Sequence, residues 1–515
     1  MVLLPPRPRL VEGIDVSFPH IPLLTTLPIF FLYTIVSTSN YLLALPLTAT
    51  PAFLTLLSEK IQPGQGPKHK LPLPIVSQQP VRPNTSLHYT VYTKHYLPMP
   101  GGPLNQQGSR RQTSQYPEPL VIDAILGICR FGARIRYQGR RDGIHIHPNL
   151  SSAADSPEVV TANIAEEREK NRLECYPTLA TVPESFTASP LGLVDKSNDS
   201  KRRIHHLSYP AHDLSFVNAG IPQQYGTIAY SSVTQAILAI QKFGTGCLMV
   251  KRNFECAFRH IPISPLDMPL LGFHWQDKFY SERFLVFGLR TAPYLFNLFA
   301  EVFHWILLQE LTTQGLPVEI VHYLDNFLII LPPNQKLETY SRGFTGLSWE
   351  VGLAIKISKN QEGTVAEFGG VELDTNQMEI RLPTKKLQKA RTIAQTASMT
   401  TSFSLLELQT ITGYLNFVCI VVHLGRAFLR RLYNMELYFP NISRHYRRRV
   451  SAEAHKDLTW WAQVLKGVPV RSIREEMRDI VCLWSDASGT KGLGAYYTSP
   501  ITTPPGNDKQ HGTTI

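Results

Sequence analysis

The sequence has few cysteines, and they are widely scattered. Its 515 residues include six cysteines, and none of them forms a Cys-x-x-Cys pair. A disulfide framework or a zinc knuckle is therefore not expected, because both need closely spaced cysteines. This cysteine usage favours a reducing compartment, so that we expect an intracellular protein of the cytoplasm or the nucleus.

The chain also lacks a long uninterrupted apolar segment. Residues 21–58 carry no charged side chain, and residues 29–45 are mostly apolar. Prolines and a polar run break this stretch, and its clean part of about 17 residues is at the lower limit for a helix that spans a bilayer. A signal peptide fits poorly, because the apolar run begins late and has no compact basic start. We expect no membrane segment here, and a weak one is the alternative.

Acidic residues are outnumbered by basic ones. The chain has 51 Lys and Arg against 40 Asp and Glu, a formal net charge of +11. Such an excess suits a polyanionic partner, although composition alone does not identify one. The hydrophobic content of 43% is enough for sizeable cores, and a chain of this length allows roughly two to four domains. Nothing in the sequence calls for an oligomer.

The first part of the chain gives little indication of stable structure. Residues 62–119 are rich in Pro, Gln, Gly and Ser and contain few apolar clusters, a composition typical of linkers and disordered tails. We therefore expect residues 1–117 to be a low-complexity, disordered segment or a spurious N-terminal extension. Order is expected to resume with residues 118–185, which begin with an apolar helical pattern and lead into the central region.

Three motifs follow one another in the central region. A strand pattern over residues 247–258 has Asn253 at its polar end, and residues 284–293 form a turn that feeds a helix. Residues 321–330 consist of two short apolar runs around the sequence Tyr-Leu-Asp-Asn, with Asp325 at the tip of the hairpin they predict. A hairpin of this kind presents a carboxylate to a metal ion.

In this order and spacing, the three motifs resemble motifs A, B and C of retroelement reverse transcriptases. The block from residue 258 to residue 305 is similar to the DIRS-type retrotransposons found in fungal genomes. The resemblance covers residues 118–498 and implies an α+β, right-hand polymerase fold with an antiparallel palm sheet. Fingers and palm are expected over residues 186–380, and thumb and connection helices over residues 381–470.

The resemblance implies an RNA-directed DNA polymerase, a nucleotidyltransferase that acts on an RNA or DNA template–primer and on deoxynucleoside triphosphates. Such enzymes supply three aspartates to two Mg²⁺ or Mn²⁺ ions, which prefer carboxylate oxygens. Here Asn253 and Asn326 stand at two of these positions, which leaves Asp325 as the expected metal ligand. The formal charge of the site falls from about −3 to about −1, which weakens the retention of two dications. We expect degenerate, inactive catalysis, and a working enzyme with amide ligands is the alternative.

The resemblance also places a fingers hairpin at residues 188–210. Arg202 corresponds to an arginine that grips the incoming triphosphate, and Lys196 corresponds more loosely to a lysine with the same role. An arginine suits this task because its planar fork holds phosphate oxygens in pairs. A basic strand edge that faces solvent is the alternative for this pair.

Further positions are assigned to the nucleotide by resemblance. The ring of Phe258 would exclude a ribose 2′-hydroxyl group, with core packing as the alternative. Phe287 and Gly288 would pack against the nucleotide and the template, since glycine permits close approach of the backbone. A lysine of the next motif acts as general acid toward pyrophosphate, and Lys359 is preferred over Lys356 for this role.

The last third of the chain carries candidate contacts to nucleic acid. Five arginines of the expected thumb are placed to neutralise the phosphates of a template–primer duplex, a salt-sensitive and sequence-independent contribution. These residues are Arg426, Arg430, Arg431, Arg447 and Arg448. The first three are expected to share one helical face, and a solvated basic face without a ligand is the alternative.

Residues 478–498 resemble the first two strands of an RNase H domain. Asp486 would be the first metal-binding carboxylate of that domain, but only 29 residues follow it. These residues include one further acid, so that RNase H activity is not expected, and residues 499–515 are expected to form a disordered tail. The second hypothesis for the whole chain is a non-catalytic, nucleic-acid-binding remnant of a mobile element.

Overall fold

The computed structural model describes residues 35–38, 41–44, 103–113, 115–195, 201–209, 216–228, 230–439, 446–474, 482–488 and 492–498. Residues 74–475 form one compact unit, and residues 1–73 with 476–515 form another. The α-helices with described bounds are α1 (Gln106–Gln112), α2 (Pro119–Phe131), α3 (Ser151–Ala154), α4 (Pro157–Glu169), α5 (Val233–Phe243), α6 (Ala292–Thr313), α7 (Leu337–Val351), α8 (Thr384–Met399), α9 (Leu405–Val418), α10 (Arg430–Glu436) and α11 (Ala452–Val464).

The strands of the first half of the chain are β1 (Ile35–Thr38), β2 (Tyr41–Ala44), β3 (Ile144–Ile146), β4 (Leu173–Tyr176), β5 (Phe186–Ala188), β6 (Leu191–Asp195), β7 (Lys201–His205) and β8 (Leu248–Asn253). Those of the second half are β9 (Gly272–Trp275), β10 (Lys278–Glu282), β11 (Glu319–Tyr323), β12 (Asn326–Leu331), β13 (Gln361–Gly363), β14 (Val365–Phe368), β15 (Val371–Asp374), β16 (Glu379–Arg381), β17 (Ser402–Ser404), β18 (Arg447–Arg449), β19 (Val470–Ser472), β20 (Cys482–Ser488) and β21 (Gly492–Thr498).

The site that the motifs predict lies on a four-stranded antiparallel sheet of order β11-β12-β8-β13. Strand β12 is apolar along its length because the sheet is covered on both faces. Phe327 and Ile329 belong to the core that contains α6 and α7, whereas Leu328 and Ile330 belong to the core shared with α5, α8 and α9. The alternation follows from the two-residue period of a strand, and it fixes which side chains of β8 and β12 share a face.

A second sheet has the strand order β3-β5-β9-β10-β4. A separate antiparallel hairpin, β6 and β7, occupies the segment for which the sequence predicts two fingers strands. Leu191 and Leu193 of β6 pack in a small core with Phe273 and Trp275 of β9. The hairpin is thereby attached on its apolar side, and its basic residues at Lys201 and Arg202 stay exposed.

Beyond the central sheet, β14, β15, β16 and β19 form another antiparallel sheet, and α8, α9 and α11 pack beside it. Strands β14 and β15 form an antiparallel hairpin within this sheet. The prediction that Arg426, Arg430 and Arg431 share one face of an α-helix is wrong for Arg426. This residue lies in a 3-10 segment, whereas Arg430 and Arg431 begin α10, because the chain leaves the α-helix after α9 ends at Val418.

The ordered part of the larger unit begins before residue 118, which corrects the predicted boundary. Helix α1 is capped by Asn105, whose side chain accepts hydrogen bonds from the backbone amides of Gln107 and Gly108 at 3.1 Å. Gln112 at the other end of the helix donates to Glu350 of α7. The sequence signal was weak because this helix is short and polar and is held by a long-range contact rather than by an apolar face.

In the smaller unit, β1 pairs with β2 and β20 pairs with β21, each pair antiparallel. The second pair is the hairpin that the sequence predicts over residues 478–498. Most of the predicted N-terminal segment 1–117 and the predicted tail 499–515 lie outside the described residues. No helix among the described residues is long and apolar enough to cross a membrane.

Candidate active site

The three predicted catalytic positions meet at one end of the central sheet. Asn253 ends β8 and is the register partner of Asn326, which begins β12. Asp325 lies in the turn between β11 and β12, beside Leu324, whose φ of 52° places it in the left-handed region. The amide of Phe254 donates to the Asp325 carbonyl oxygen at 3.0 Å and thereby ties the turn to the strand that carries Asn253.

Burial raises the pKa of Asp325, and nearby donors and cations oppose that shift. The opposing groups are a backbone amide, a hydrogen bond from the Asn253 side chain, and the charges of Lys359 and Lys251. The amide oxygens Oδ1 of Asn253 and Asn326 are buried and have no hydrogen-bond partner among the described residues. An unsatisfied buried acceptor costs about 1–3 kcal/mol, so that these two oxygens are the expected contacts of a ligand's donor groups.

The metal-ligand atoms that this site offers do not fit a pair of divalent cations. Oxygen is the ligand atom that Mg²⁺ prefers, and Asn253, Asp325 and Asn326 offer it, but Asp325 supplies their single negative charge. The ammonium groups of Lys251 and Lys359 act on the same carboxylate, so that little negative charge is left to retain two dications. In the described part of the chain, no group of three or more His, Cys, Asp or Glu side chains could hold a metal ion.

The two lysines considered for the general acid have different surroundings. Lys356 donates to the carboxylate of Glu255 at 2.7 Å, and this ion pair raises the pKa of Lys356. Lys359 ends a 3-10 turn, is exposed, and its charge lowers the pKa of Asp325. Lys356 is therefore already engaged by its own partner, and the role of Lys359 stays a prediction.

Three residues predicted to contact the nucleotide lie side by side, although they come from three different motifs. The Arg202 guanidinium lies over the Phe287 ring, 5.4 Å from its centroid. The Phe287 ring in turn contacts the Phe258 ring, with centroids 4.9 Å apart. Phe258 is buried and Phe287 is half-exposed, so that one ring supports the other while the arginine remains accessible. Lys196, the other predicted triphosphate ligand, lies outside the described residues.

Gly288 has a φ of 92°, which L-residues with side chains rarely adopt. An added Cβ atom would lie 3.1 Å from the carbonyl oxygen of His205. The loop is held by Asn218, whose Nδ2 donates to the Gly288 carbonyl and whose Oδ1 accepts from the Arg290 amide, both at 2.8 Å. Sequence reasoning missed Asn218 because its partners lie about 70 residues away, and no local pattern marks it.

A buried ion-pair network supports the strand that carries Arg202. Its neighbour Arg203 donates to Glu282 of β10 at 3.0 Å, and Arg259 donates to the other oxygen of the same carboxylate at 2.6 Å. Glu282 is fully buried, and the two guanidinium groups hold its pKa below the usual range despite that burial. Breaking one partner of such a network leaves a buried charge uncompensated. These residues position Arg202 rather than contact a ligand.

The predicted thumb arginines differ in their partners. Arg431 forms an ion pair with Asp457 at 2.7 Å, and Arg447 forms one with Glu407 at 2.8 Å. Arg448 donates to the Tyr438 carbonyl oxygen. Arg426 and Arg430 are exposed, and among the described residues they form no ion pair or hydrogen bond. The structure therefore leaves two of the five arginines available without breaking an internal contact.

Asp486 lies in β20 opposite Gly494, and its side chain lies outside the described part of the structure.

Lys251 was not singled out from the sequence, although it lies two residues before Asn253 and therefore on the same face of β8. Only 8% of Lys251 is exposed, and burial lowers its pKa. The two-residue period of the strand is the sequence signal that could have identified Lys251.

The sequence profile of the family "Reverse transcriptase (RNA-dependent DNA polymerase)" matches residues 199–392. This range contains Arg202, the Asn253–Asn326 pair and Lys359, and it ends within α8. Foamy viral protease–reverse transcriptase in complex with double-stranded DNA aligns with 80% of this chain and 67% of its own, at 15% identity and a TM-score of 0.47. The same protein in complex with an RNA/DNA hybrid gives a TM-score of 0.47 over 80% of this chain and 52% of its own, also at 15% identity.

Among curated proteins, Protein P of duck hepatitis B virus (strain United States/DHBV-16) is 26% identical over 175 residues, which are 34% of this chain and 20% of that protein. Protein P of heron hepatitis B virus is 22% identical over 173 residues, 34% of this chain and 21% of its own length. The chain thus matches about a fifth of the length of these relatives. Residues 199–392 thus match the reverse transcriptase family, and about a third of the chain is distantly similar to the P proteins of duck and heron hepatitis B viruses.

Proposed function

We propose that this chain is a reverse transcriptase domain protein of a DIRS-type retrotransposon in which nucleotidyl transfer is lost or strongly reduced. The observation that carries the proposal is the pairing of Asn253 with Asn326 across β8 and β12, beside Asp325. The expected ligands of this domain are an RNA or DNA template–primer and deoxynucleoside triphosphates. The DIRS assignment itself rests on the motif resemblance over residues 258–305.

The chemistry of the site supports reduced catalysis. Attack by a primer 3′-oxygen on a triphosphate needs stabilisation of the negative charge that develops on the attacking and leaving oxygens, which this family obtains from two metal ions. Asp325 alone supplies a carboxylate, and the carboxylate already accepts a hydrogen bond from Asn253. The residues that remain can bind and orient a nucleotide, through Arg202 and the two aromatic rings, but the charge that holds both metals is reduced.

Primer extension on an RNA template, with the full chain in Mg²⁺ and in Mn²⁺, tests the proposal. The native chain is expected to extend the primer weakly or not at all, and the Asn253→Asp plus Asn326→Asp variant is expected to extend it. Asp325→Asn in the restored background is the matched control and is expected to abolish extension. If the native chain extends efficiently and Asp325→Ala abolishes that activity, the amides are competent ligands and the proposal is wrong.

A non-catalytic, nucleic-acid-binding function is the second candidate. It is favoured by Arg426 and Arg430, which are exposed and, among the described residues, have no internal partner. Each phosphate contact releases counterions, so that binding of a primer–template duplex should weaken steeply with salt. Anisotropy measurements with a labelled duplex over a salt series test this directly. Salt-independent or undetectable binding would leave the arginines without a role in nucleic-acid recognition.

A further inference from the structure

Tyr230 and Tyr323 form a stacked pair of rings beside the candidate active site. Their ring centroids are 4.4 Å apart, and their planes differ by 29°. Tyr323 ends β11, pairs in register with Asn326 and lies two residues before Asp325. Tyr230 lies three residues before the start of α5, so that the stack joins two distant parts of the chain.

Core packing does not account for this pair. Tyr230 is 40% exposed and Tyr323 is 42% exposed, and neither ring belongs to a hydrophobic core of the described residues. A single exposed apolar side chain is common and needs no explanation. Two exposed rings that hold each other in place form a rigid apolar surface, and such preorganisation favours the binding of a planar ligand.

A series of contacts connects the stack to ammonium groups. Val233, the first residue of α5, lies against the turn between β14 and β15, since a Cβ atom on Gly369 would be 2.5 Å from its side chain. Gly370, the next residue of this turn, accepts a hydrogen bond from Lys386 of α8 at 2.9 Å. The turn therefore lies between the segment that carries Tyr230 and the basic helix α8.

Aromatic rings accompany the ammonium groups of α8. Lys386 lies over the Phe417 ring, 5.6 Å from its centroid, and Lys389 lies over the Tyr414 ring at 5.0 Å. Lys389 is exposed, and among the described residues it forms no ion pair. Rings that stack on bases, combined with cations that neutralise phosphates, are the means by which proteins bind single-stranded nucleic acids without sequence preference.

We propose that Tyr230 and Tyr323 form a stacking site for an unpaired base of a single-stranded nucleic acid, whose phosphates follow the ammonium groups toward Lys389. This inference rests on the second candidate function, nucleic-acid binding, and specifies the kind of strand that is bound. An unpaired base offers a free face to an aromatic ring, whereas a base within a duplex is covered by its neighbours. No bond is made or broken.

Fluorescence anisotropy in EDTA tests the proposal with the full chain and a labelled oligothymidylate of about twelve nucleotides, a length that single-strand sites cover. Tyr323→Ala and Tyr230→Ala are each expected to weaken binding by about tenfold, a loss typical of one stack between a base and an aromatic ring. Tyr323→Phe and Tyr230→Phe should keep the native affinity, because they retain the ring and lose only the hydroxyl group.

An oligomer of the same length with abasic sites in place of the bases separates stacking from a structural role. It keeps the phosphates, so that the native chain and Tyr323→Ala should bind it equally. A tyrosine that only supports the fold would weaken both oligomers alike. Trp349→Ala is the matched control, because Trp349 is 83% exposed and, in the part of the chain that the structure describes, contacts no other ring. Its removal should leave both affinities unchanged.

Thymidine monophosphate, at the same concentration of nucleotide units, should not displace the oligomer; displacement would assign the rings to a free nucleotide and overturn the single-strand site. Native affinity in both alanine variants, or an equal loss with both oligomers, would also overturn it. If the native chain binds a primer–template duplex but no oligothymidylate, the stacking site is wrong and nucleic-acid binding stands. If it binds neither, both are wrong.

Discussion

Replacement of Asn253 and Asn326 together by aspartate is expected to lower the free energy of unfolding in EDTA and to make it depend on Mg²⁺. The two residues are direct register partners on β8 and β12. Aspartates at these positions would place two like charges opposite each other, with Asp325 as a third charge in the adjacent turn. The native chain has amides at both positions and has no such repulsion.

The magnitude follows from the register. Directly opposed residues of antiparallel strands have Cβ atoms about 5 Å apart, and two unit charges at about that distance repel by about 3 kcal/mol at an effective dielectric constant near 20. Lys251 and Lys359 offset part of this repulsion. We therefore expect the variant to be about 2–3 kcal/mol less stable than the native chain in EDTA, and saturating Mg²⁺ at about 100 times its dissociation constant should restore about 2.7 kcal/mol.

Urea denaturation followed by tryptophan fluorescence, in EDTA and in millimolar Mg²⁺, measures both effects. Asn434→Asp is the control, because Asn434 is exposed on α10 and has no strand partner; its stability should stay close to native and should not respond to Mg²⁺. A double variant that is as stable as the native chain in EDTA, and indifferent to Mg²⁺, would show that the two side chains do not face a common point.

Three further results are expected. Burial raises the pKa of Glu301 from 4.5 to about 7. Between these values the folded protein holds a proton that the unfolded chain has released, so that the stability of the native chain falls as the pH rises. In urea titrations Glu301→Gln should therefore be about 3 kcal/mol more stable than the native chain above pH 7 and equally stable below pH 4.5, and an equal gain at both ends would contradict the burial argument. Asn218→Ala should lose about 2–4 kcal/mol, because two backbone groups of the Gly288 loop lose their partner, and a near-native midpoint in urea would mean that water replaces the amide. Substituting Arg426 by alanine should lower the slope of log affinity against log salt concentration for duplex binding by about 1, without loss of stability. Arg447→Ala should in addition lower the stability, because its ion pair with Glu407 is lost. If Arg447→Ala is as stable as the native chain, this ion pair contributes nothing to stability.

The sequence alone determined the local elements of the site. The apolar runs around Asp325 predicted an antiparallel hairpin with a carboxylate at its tip, and the structure has β11 and β12 there. The strand that ends at Asn253 was likewise readable, since its pattern and its distance from the hairpin are both local properties of the chain. The resemblance that places Asn253 and Asn326 where the family pattern has aspartates needed no structure, because motif spacing identifies the positions.

Other features of the site depended on contacts between distant parts of the chain. Phe258 and Phe287 touch each other under Arg202 only because three motifs fold together. The helix pattern of the thumb suggested one arginine face, but the chain leaves the α-helix before Arg426. Partners such as Asp457, which engages Arg431, lie too far along the sequence for any periodic pattern to report them.

Lys251 shows what strand periodicity predicts and what tertiary packing decides. The two-residue period of a strand places it on the same face as Asn253, and this much follows from the sequence. That only 8% of the residue is exposed, and that Glu367 nearby is engaged by Lys386, is decided by the packing of β8 against β13 and β14. Sequence periodicity determines which way a side chain points, whereas the charge it meets there is set by residues that only the tertiary fold brings within reach.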